Sequence, residues 1–277
     1  MRIFQRADDA PGGSRGCAVA IGNFDGVHLG HQRVFAVLRA QAQALAVPAA
    51  VLTFDPHPRR LFDPGLPAFA LSPTPERIDR IARHGLDFTV VQPFDHAFAA
   101  VTAEEFVVDL LVNRLGVRHV VVGDDYRFGH RRRGDVDLLR NLGRRCGFGV
   151  TAVPPFRDEQ GRVCSSSRVR AALAEGRPDE ASRLLGRPWE IDGPVERRRD
   201  GTLALALAER QRLLPGIYAV AAVAGDGRPP DETLRTQAWL PPPGWDGGDC
   251  VLLPGHRAAL SPRLRVQVLE LVAAIAA

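Results

Sequence analysis

From Cys17 to about Pro155, short continuous apolar runs alternate with stretches in which apolar residues recur every three or four positions. The runs are Cys17–Ile21, Ala49–Phe54, Phe88–Val91, His119–Val122 and Gly149–Val153. Such runs predict strands covered on both faces. Between them the spacing predicts helices over about 31–46, from Thr74-Pro75-Glu76 onward, from Thr102-Ala103-Glu104-Glu105 onward and over Val136–Cys146. Thr102 and Glu105 have the spacing of a capping box, and Pro75 suits a first helical position. Strand and helix in alternation predict an α/β fold, a parallel sheet with helices on both faces.

After Ser165–Ser167 the pattern changes. Two short helices are expected, Arg168–Glu175 and Asp179–Leu185, and Gly186-Arg187-Pro188 breaks the second. A domain boundary is drawn there, giving domains 1–187 and 188–277. The second domain has strand-like pieces (Leu203–Leu207, Ile217–Val223, Cys250–Leu253), a Pro/Gly-rich middle (Pro241–Gly248) and a helix-like end (Leu264–Ile275). The expectation is a small, shortened β-rich, barrel-like domain with a C-terminal helix. No internal repeat is visible.

Composition narrows the chemistry. All 36 basic residues are arginine, so an amine nucleophile, a Schiff base or a P-loop lysine is excluded. The formal charge of +4 is modest and the acids are spread among the arginines, which argues against nucleic acid as a partner. The basic runs His130–Arg133 and Arg197–Arg199 read as solvated surface. The 4 cysteines show no CxxC spacing, so neither a zinc site nor a dithiol motif is indicated, and a reducing, cytoplasmic setting is expected. No apolar run reaches the length of a membrane span, so no membrane association is expected.

The most informative segment is Ile21-Gly22-Asn23-Phe24-Asp25-Gly26-Val27-His28-Leu29-Gly30-His31. A buried strand ends in a glycine-flanked turn, and His-x-Gly-His opens a helix. Backbone N–H groups and the helix dipole make an anion site there, glycine lets a phosphate approach closely, and two imidazoles can donate to its oxygens. The plainer alternative is a capping and a surface histidine. Gly123-Asp124-Asp125-Tyr126-Arg127-Phe128-Gly129 also follows a buried strand. Its carboxylates can hold a nucleotide group or a magnesium ion, and Tyr126 and Phe128 offer aromatic faces. Ser165, Ser166 and Ser167 supply donors at a helix start, with Arg168 or Arg170 adding a bidentate charge; simple N-capping is the alternative. Gly147-Phe148-Gly149-Val150-Thr151-Ala152 fits G-x-G-x-x-A but leads into a strand, so the dinucleotide mechanism is absent.

The His28-x-Gly30-His31 segment resembles the HxGH signature of the nucleotidyltransferase superfamily, which binds nucleoside triphosphate. The string from Gly22 to His31 is similar to the version in bacterial bifunctional riboflavin kinase/FAD synthetases. Three further segments agree. Leu52-Thr53-Phe54-Asp55-Pro56-His57-Pro58 resembles that family's TFxPHP turn. Gly123–Gly129 resembles GxDFxFG, with Tyr126 for phenylalanine. Ser165–Arg170 resembles SSTxIR, with Ser167 for threonine and Val169 for isoleucine.

The resemblance implies a Rossmann-like nucleotidyltransferase domain that transfers an adenylyl group from ATP to FMN, with Mg²⁺ on the phosphates. It gives catalytic roles to His28, His31 and Arg168. Gly22, Asn23, Phe24, Gly26, Gly30, Ser165, Ser166, Ser167 and Asp125 would bind ATP and its phosphates. Phe54, Pro56, His57, Pro58, Tyr126 and Phe128 would bind the flavin. Metal ligands and oligomeric state are not read from the sequence. The family's kinase domain carries a GxPTAN segment, whereas here Leu185–Trp189 and Leu214–Val220 resemble its flanks and no Pro-Thr-Ala-Asn lies between them. A domain without kinase activity is therefore expected. Alternatives are a nucleotidyltransferase acting on a flavin analogue or another phosphorylated acceptor, and a non-catalytic flavin- or nucleotide-binding paralogue.

Overall fold

A computed structural model of the chain describes residues 1–10, 16–224, 234–245, 248–254 and 262–275. Two of the residues in the Pro/Gly-rich stretch Pro241–Gly248, Asp246 and Gly247, lie outside the described residues. The chain forms two compact units, Met1–Leu66 with Arg77–Val163, and Pro67–Glu76 with Cys164–Ala277.

In the first unit, β1 (Arg2–Phe4), β2 (Ala18–Ile21), β3 (Ala49–Asp55), β4 (Phe88–Pro93), β5 (His119–Gly123) and β6 (Gly149–Val153) make one sheet in the order β1-β4-β3-β2-β5-β6. Every pairing in it is parallel. The strands expected from the apolar runs are all present; β1 is too short to show a period and was not expected. Because successive side chains point to opposite faces, β2 sends Val19 and Ile21 into one core and Ala18 and Ala20 into the other. On the second face α1 (Leu29–Ala44) buries Val34, Phe35 and Leu38. On the first face, α5 (Ala103–Glu105) continues into a π-helical run, Phe106–Arg114, whose Leu110 and Leu111 join Leu139 of α6 (Val136–Cys146) in the core. The Thr102–Glu105 capping box is formed in both directions.

The second unit contains α7 (Ser166–Ala174), α8 (Pro178–Leu185) and an antiparallel barrel. The barrel strands are β7 (Trp189–Arg197), β8 (Leu203–Ala206), β9 (Gly216–Ala224), β10 (Leu234–Leu240), β11 (Cys250–Leu253) and β12 (Arg263–Ala274), closed in the order β10-β11-β8-β7-β12-β9. One expectation is corrected here. The C-terminal segment is not a helix but the long strand β12, paired with both β7 and β9. Leu264, Val266 and Val268 are buried while Arg263 is exposed and Arg265 and Gln267 are half-buried, a period of two that the dense leucine and valine content disguised as a helical one.

The division drawn at 187/188 also falls inside this unit. Gly186 ends α8 in the left-handed region (φ 71°) and the chain passes directly into β7 without a linker. At the end of α7, a Cβ on Gly176 would stand 2.7 Å from Leu271 of β12. Packing therefore groups α7 and α8 with the barrel.

The segment 67–76 is bound to the barrel along its length. Ala70 exchanges backbone hydrogen bonds with Glu209 (3.0 Å) and Gln211 (2.8 Å), Trp189 Nε1 donates to Leu71 O (3.1 Å), and Arg170 Nε donates to Phe69 O (2.7 Å). Buried Arg210 pairs with Glu76 and also donates to the Asp192 and Leu207 carbonyls.

Candidate functional site

The strand order of the first unit reverses at β2. From β2 the chain runs out through β3 and β4 and returns to β5 on the other side of β2. In an open parallel sheet the crevice beyond the carboxyl ends of two such strands is where ligands bind. Two of the segments singled out from the sequence leave those ends: Gly22–His28 after β2 and Gly123–Gly129 after β5. The Phe54–Pro58 turn leaves the end of β3, beside β2.

Residues in the turn after β2 adopt costly conformations. Phe24 (φ 51°), Gly26 (φ 81°) and Val27 (φ 46°) all lie in the left-handed region, which glycine accepts and a β-branched residue resists. The surroundings hold them there. Phe24 and Val27 are buried, and the Phe24 ring meets Phe35 at 4.9 Å and the His31 ring edge-on at 5.2 Å. Gly22 N donates to Leu52 O (3.1 Å), and the Thr53 hydroxyl donates to Asn23 O (3.2 Å). A side chain at Gly22 would crowd the Phe24 ring at 3.1 Å.

His28 is the N-cap of α1, and its Nδ1 accepts from His31 N at 3.4 Å. With Nδ1 accepting, the neutral imidazole carries its proton on Nε2. Capping thus engages one nitrogen of the ring. The His28 and His31 rings stack at 3.6 Å, and the first turn of α1 contains no acidic residue to oppose an anion.

The other two turns are joined by aromatic rings. Tyr126 stacks on Phe128 at 5.5 Å; Phe128 meets Phe106, which meets Phe98 of the short helix α4 (His96–Ala99); Phe98, Phe94 and Phe54 meet one another pairwise; and exposed Phe62 reaches Phe94 at 6.2 Å. Phe54 and Phe128 are buried within this row, so Tyr126, Phe62 and the half-buried His57 and Pro58 present its accessible parts. Burial pushes the Tyr126 phenol well above its ordinary range, so it remains neutral. Pro56 is exposed, and His57 caps the short helix α2 (Pro58–Phe62) by accepting from Arg59 N at 3.2 Å. Asp124 and Asp125 are exposed, and Asp124 N donates to Val153 O at 3.1 Å.

Gly129 closes the third turn. Its φ is 70°, and a Cβ there would lie 2.6 Å from the Ala103 backbone at the start of α5. Gly129→Ala is expected to destabilise the first unit by about 2 kcal/mol or more, combining left-handed strain with overpacking, measured as a lowered denaturant midpoint. An unchanged midpoint would contradict this packing.

The serine segment belongs to the second unit, the other site residues to the first. Ser165 caps α7 by accepting from Arg168 N (3.3 Å). Arg168 is ion-paired: its Nε and Nη2 both donate to Glu180 Oε1 (3.1 and 2.8 Å), and Arg177 takes the other Glu180 oxygen. Of the two basic runs, His130–Arg133 follows the third turn, with Arg131 and Arg132 left-handed and exposed. In the other, Arg198 stacks over Trp245 at 4.7 Å, so that arginine is partly structural.

Sequence reasoning passed over two residues that the structure brings to these turns. Thr53 ties the first turn to β3. Arg77, in α3 (Thr74–Ala82), is buried and donates to the Phe54 carbonyl at 2.8 Å. The available signal was position: Arg77 lies on the same helical face as buried Ile78 and Ile81.

Among the described residues no helix is long and apolar enough to cross a membrane, and the 4 cysteines are free thiols. A profile of the FAD synthetase family matches residues 11–167, which takes in all three turns and Ser165–Ser167. The bifunctional riboflavin kinase/FMN adenylyltransferase of Escherichia coli (strain K12) is 38% identical over 237 residues, covering 83% of this chain and 74% of that one. The enzyme of the same description from Pseudomonas fluorescens is 40% identical over 214 residues, covering 75% and 68%. A crystal structure described as a macrolide-efflux protein from Streptococcus pneumoniae superposes with a TM-score of 0.83 at 26% identity, covering 100% of this chain and 91% of that one. On this evidence the chain belongs to the FAD synthetase family.

Proposed function

We propose that the protein makes FAD by transferring the adenylyl group of Mg·ATP to FMN, releasing pyrophosphate. One observation carries this reading: the His28–His31 turn, the Phe54–Pro58 turn and the Gly123–Gly129 turn leave the carboxyl ends of adjacent parallel strands at the point where the strand order reverses.

The FMN phosphate is already anionic, so its oxygen can attack the α-phosphorus of ATP without a strong base or a covalent enzyme intermediate. Catalysis then consists of alignment and of stabilising charge on the phosphates. We assign that stabilisation to His28, His31 and the N–H groups of Leu29 and Gly30 at the start of α1, with Gly22, Phe24, Gly26 and Gly30 allowing close backbone approach. Asn23 and Asp125 position the nucleotide. The aromatic row ending at Tyr126, with Phe54, Pro56, His57, Pro58 and Phe128, receives the isoalloxazine. Ser165–Ser167 and Arg168 are assigned to ATP, with Glu180 fixing the Arg168 fork. Magnesium, supplied as Mg·ATP, would offset negative charge on the phosphates. No group of 3 or more His, Cys, Asp or Glu among the described residues would hold it independently.

The barrel has no Pro-Thr-Ala-Asn; the chain between β7 and β9 runs through the Arg198–Thr202 turn and β8 instead. Product analysis tests both statements. Incubation with FMN and Mg·ATP should yield FAD and pyrophosphate in equal amounts, while riboflavin and Mg·ATP should yield no FMN. FMN formed from riboflavin would restore kinase activity to the barrel. Turnover of a flavin analogue in place of FMN would favour a changed acceptor, for which Tyr126 is the observed departure. Tight binding of FMN and ATP without turnover would favour a non-catalytic paralogue.

A further inference from the structure

The basic run His130–Arg133 begins where the third turn ends, and it is built as a closed loop. Phe128 and Gly134 exchange backbone hydrogen bonds across its base (3.0 and 2.9 Å), and a Cβ on Gly134 would lie 2.8 Å from the Phe128 ring. His130 is anchored twice: its backbone N–H donates to Val101 O (2.7 Å), and its Nδ1 donates to the carbonyl of Ala99 at the end of α4 (3.2 Å). Arg131 (φ 54°) and Arg132 (φ 58°) then follow in the left-handed region, which residues with a long side chain seldom occupy. Arg132 N donates to Gly129 O (2.9 Å), so this backbone is held in its strained form. Strain of this kind gathers at ligand sites.

The charge of the loop is uncompensated. Arg131, Arg132 and Arg133 are exposed, and their side chains make no hydrogen bond or ion pair among the described residues. The next carboxylate along the chain, Asp135, is already engaged: one oxygen pairs with Arg127 (2.9 Å) and the other accepts from Leu138 N (2.9 Å). Exposed arginines elsewhere on this unit, Arg114 and Arg140, have acidic partners. Phe128, at the base of the loop, belongs to the aromatic row, where its ring stacks on Tyr126 and meets Phe106. A flavin seated on that row carries its phosphate at the far end of the ribityl chain, so the matching anion site must lie beside the row and not on it.

We propose that the loop His130–Arg133 is the site for the phosphomonoester of FMN, with Arg131 and Arg132 as its guanidinium donors and the strained backbone fixing their place. This rests on the adenylyl-transfer reading and adds the group that reading leaves unplaced. With part of its charge offset there, the FMN phosphate can approach the triphosphate against less repulsion between two anionic reactants.

The test measures equilibrium binding of riboflavin, FMN and Mg·ATP to the full chain, with thermal melting alongside. Riboflavin differs from FMN only by the phosphate, so the ratio of the two affinities reads the proposed site directly. Arg131→Gln/Arg132→Gln is expected to weaken FMN by about tenfold, the scale of two exposed charge pairs, and to leave riboflavin and Mg·ATP within about twofold of wild type. The wild-type preference for FMN over riboflavin should shrink as salt is raised, and that of the variant should change little. Arg131→Gly/Arg132→Gly removes the same charge but accepts the left-handed backbone, so it should lose FMN equally while its melting temperature does not fall. Arg197→Gln/Arg199→Gln removes equal charge from the other basic run and should leave FMN unaffected. If FMN keeps its affinity in both loop variants, the run is solvated surface and the proposal is overturned. Weakening of riboflavin by the same factor as FMN would trace the effect to the aromatic row, and weakening of Mg·ATP would trace it to the triphosphate or to a general positive field; either result also overturns it. Wild-type protein that binds neither FMN nor Mg·ATP refutes the adenylyl-transfer reading itself, whereas FAD formation with an FMN affinity indifferent to the loop refutes this proposal alone.

Discussion

His31→Ala is expected to lower kcat for FAD formation by about 30- to 1,000-fold, corresponding to about 2–4 kcal/mol of transition-state stabilisation, the scale of one preorganised donor. His31 sits in the first turn of α1, where its ring is stacked on that of His28 and held edge-on by Phe24. A ring fixed from two sides costs little reorganisation when negative charge develops near it. Its contribution should fall mainly on kcat, because charge on the departing pyrophosphate grows as the reaction proceeds. KM for ATP should rise less. The backbone N–H of residue 31 survives in alanine, so the hydrogen bond to His28 Nδ1 and the cap are kept. A variant with unchanged kcat and a normal melting temperature would show that His31 is only a helix-surface residue.

Arg210→Met is expected to destabilise the second unit by about 3–5 kcal/mol, the cost of removing one member of a buried ion pair. Arg210 and Glu76 side chains are 6% and 16% exposed, and the same guanidinium serves the Asp192 and Leu207 carbonyls. Removing it takes a charged donor from the Glu76 carboxylate and from both carbonyls in a place water reaches poorly. All 3 tryptophans, Trp189, Trp239 and Trp245, lie in this unit, so tryptophan fluorescence during chemical denaturation follows it selectively. Adding Glu76→Met to Arg210→Met should recover much of the loss, since an apolar pair of similar volume avoids burying a lone charge. A single variant within about 0.5 kcal/mol of wild type would mean the pair behaves like an exposed one.

The parallel sheet was legible because strands buried on both faces are written as unbroken apolar runs. Each of those runs became a strand. The first two chemical turns were legible for a different reason: glycine and histidine stand directly after such runs, where a parallel sheet exposes its ligand-binding edge. β12 was misread because the apolar run Val268-Leu269, Leu271–Ala274 satisfies a helical period as well as an alternating one, and the pairing partners β7 and β9 decide between them. β10 was missed because the polar run Arg235-Thr236-Gln237 leaves only Ala238-Trp239-Leu240 as a continuous apolar stretch. Nor could local pattern show that the segment 67–76, which leaves the sheet unit between α2 and α3, would be taken up by the barrel. That depends on Trp189 and Arg210, more than a hundred residues away in sequence. Arg77 was overlooked for a related reason. Its charge suggested solvent, and the Phe54 carbonyl it reaches lies on another element.

Arg168 shows how a motif residue acquires physical content only in context. From the sequence it was a free fork for phosphate. In the structure Glu180 holds its Nε and Nη2. Such a pairing fixes the orientation of the guanidinium, as second-shell carboxylates do elsewhere, and it narrows the role open to that residue.

The most direct measurement is the fate of label in ATP carrying it at the α-phosphorus, incubated with magnesium, FMN and the full-length protein. The account predicts that the label passes into FAD, one equivalent per FMN consumed, and that the pyrophosphate released is unlabelled. Label remaining in ATP or appearing as free AMP while FMN is unchanged would contradict it.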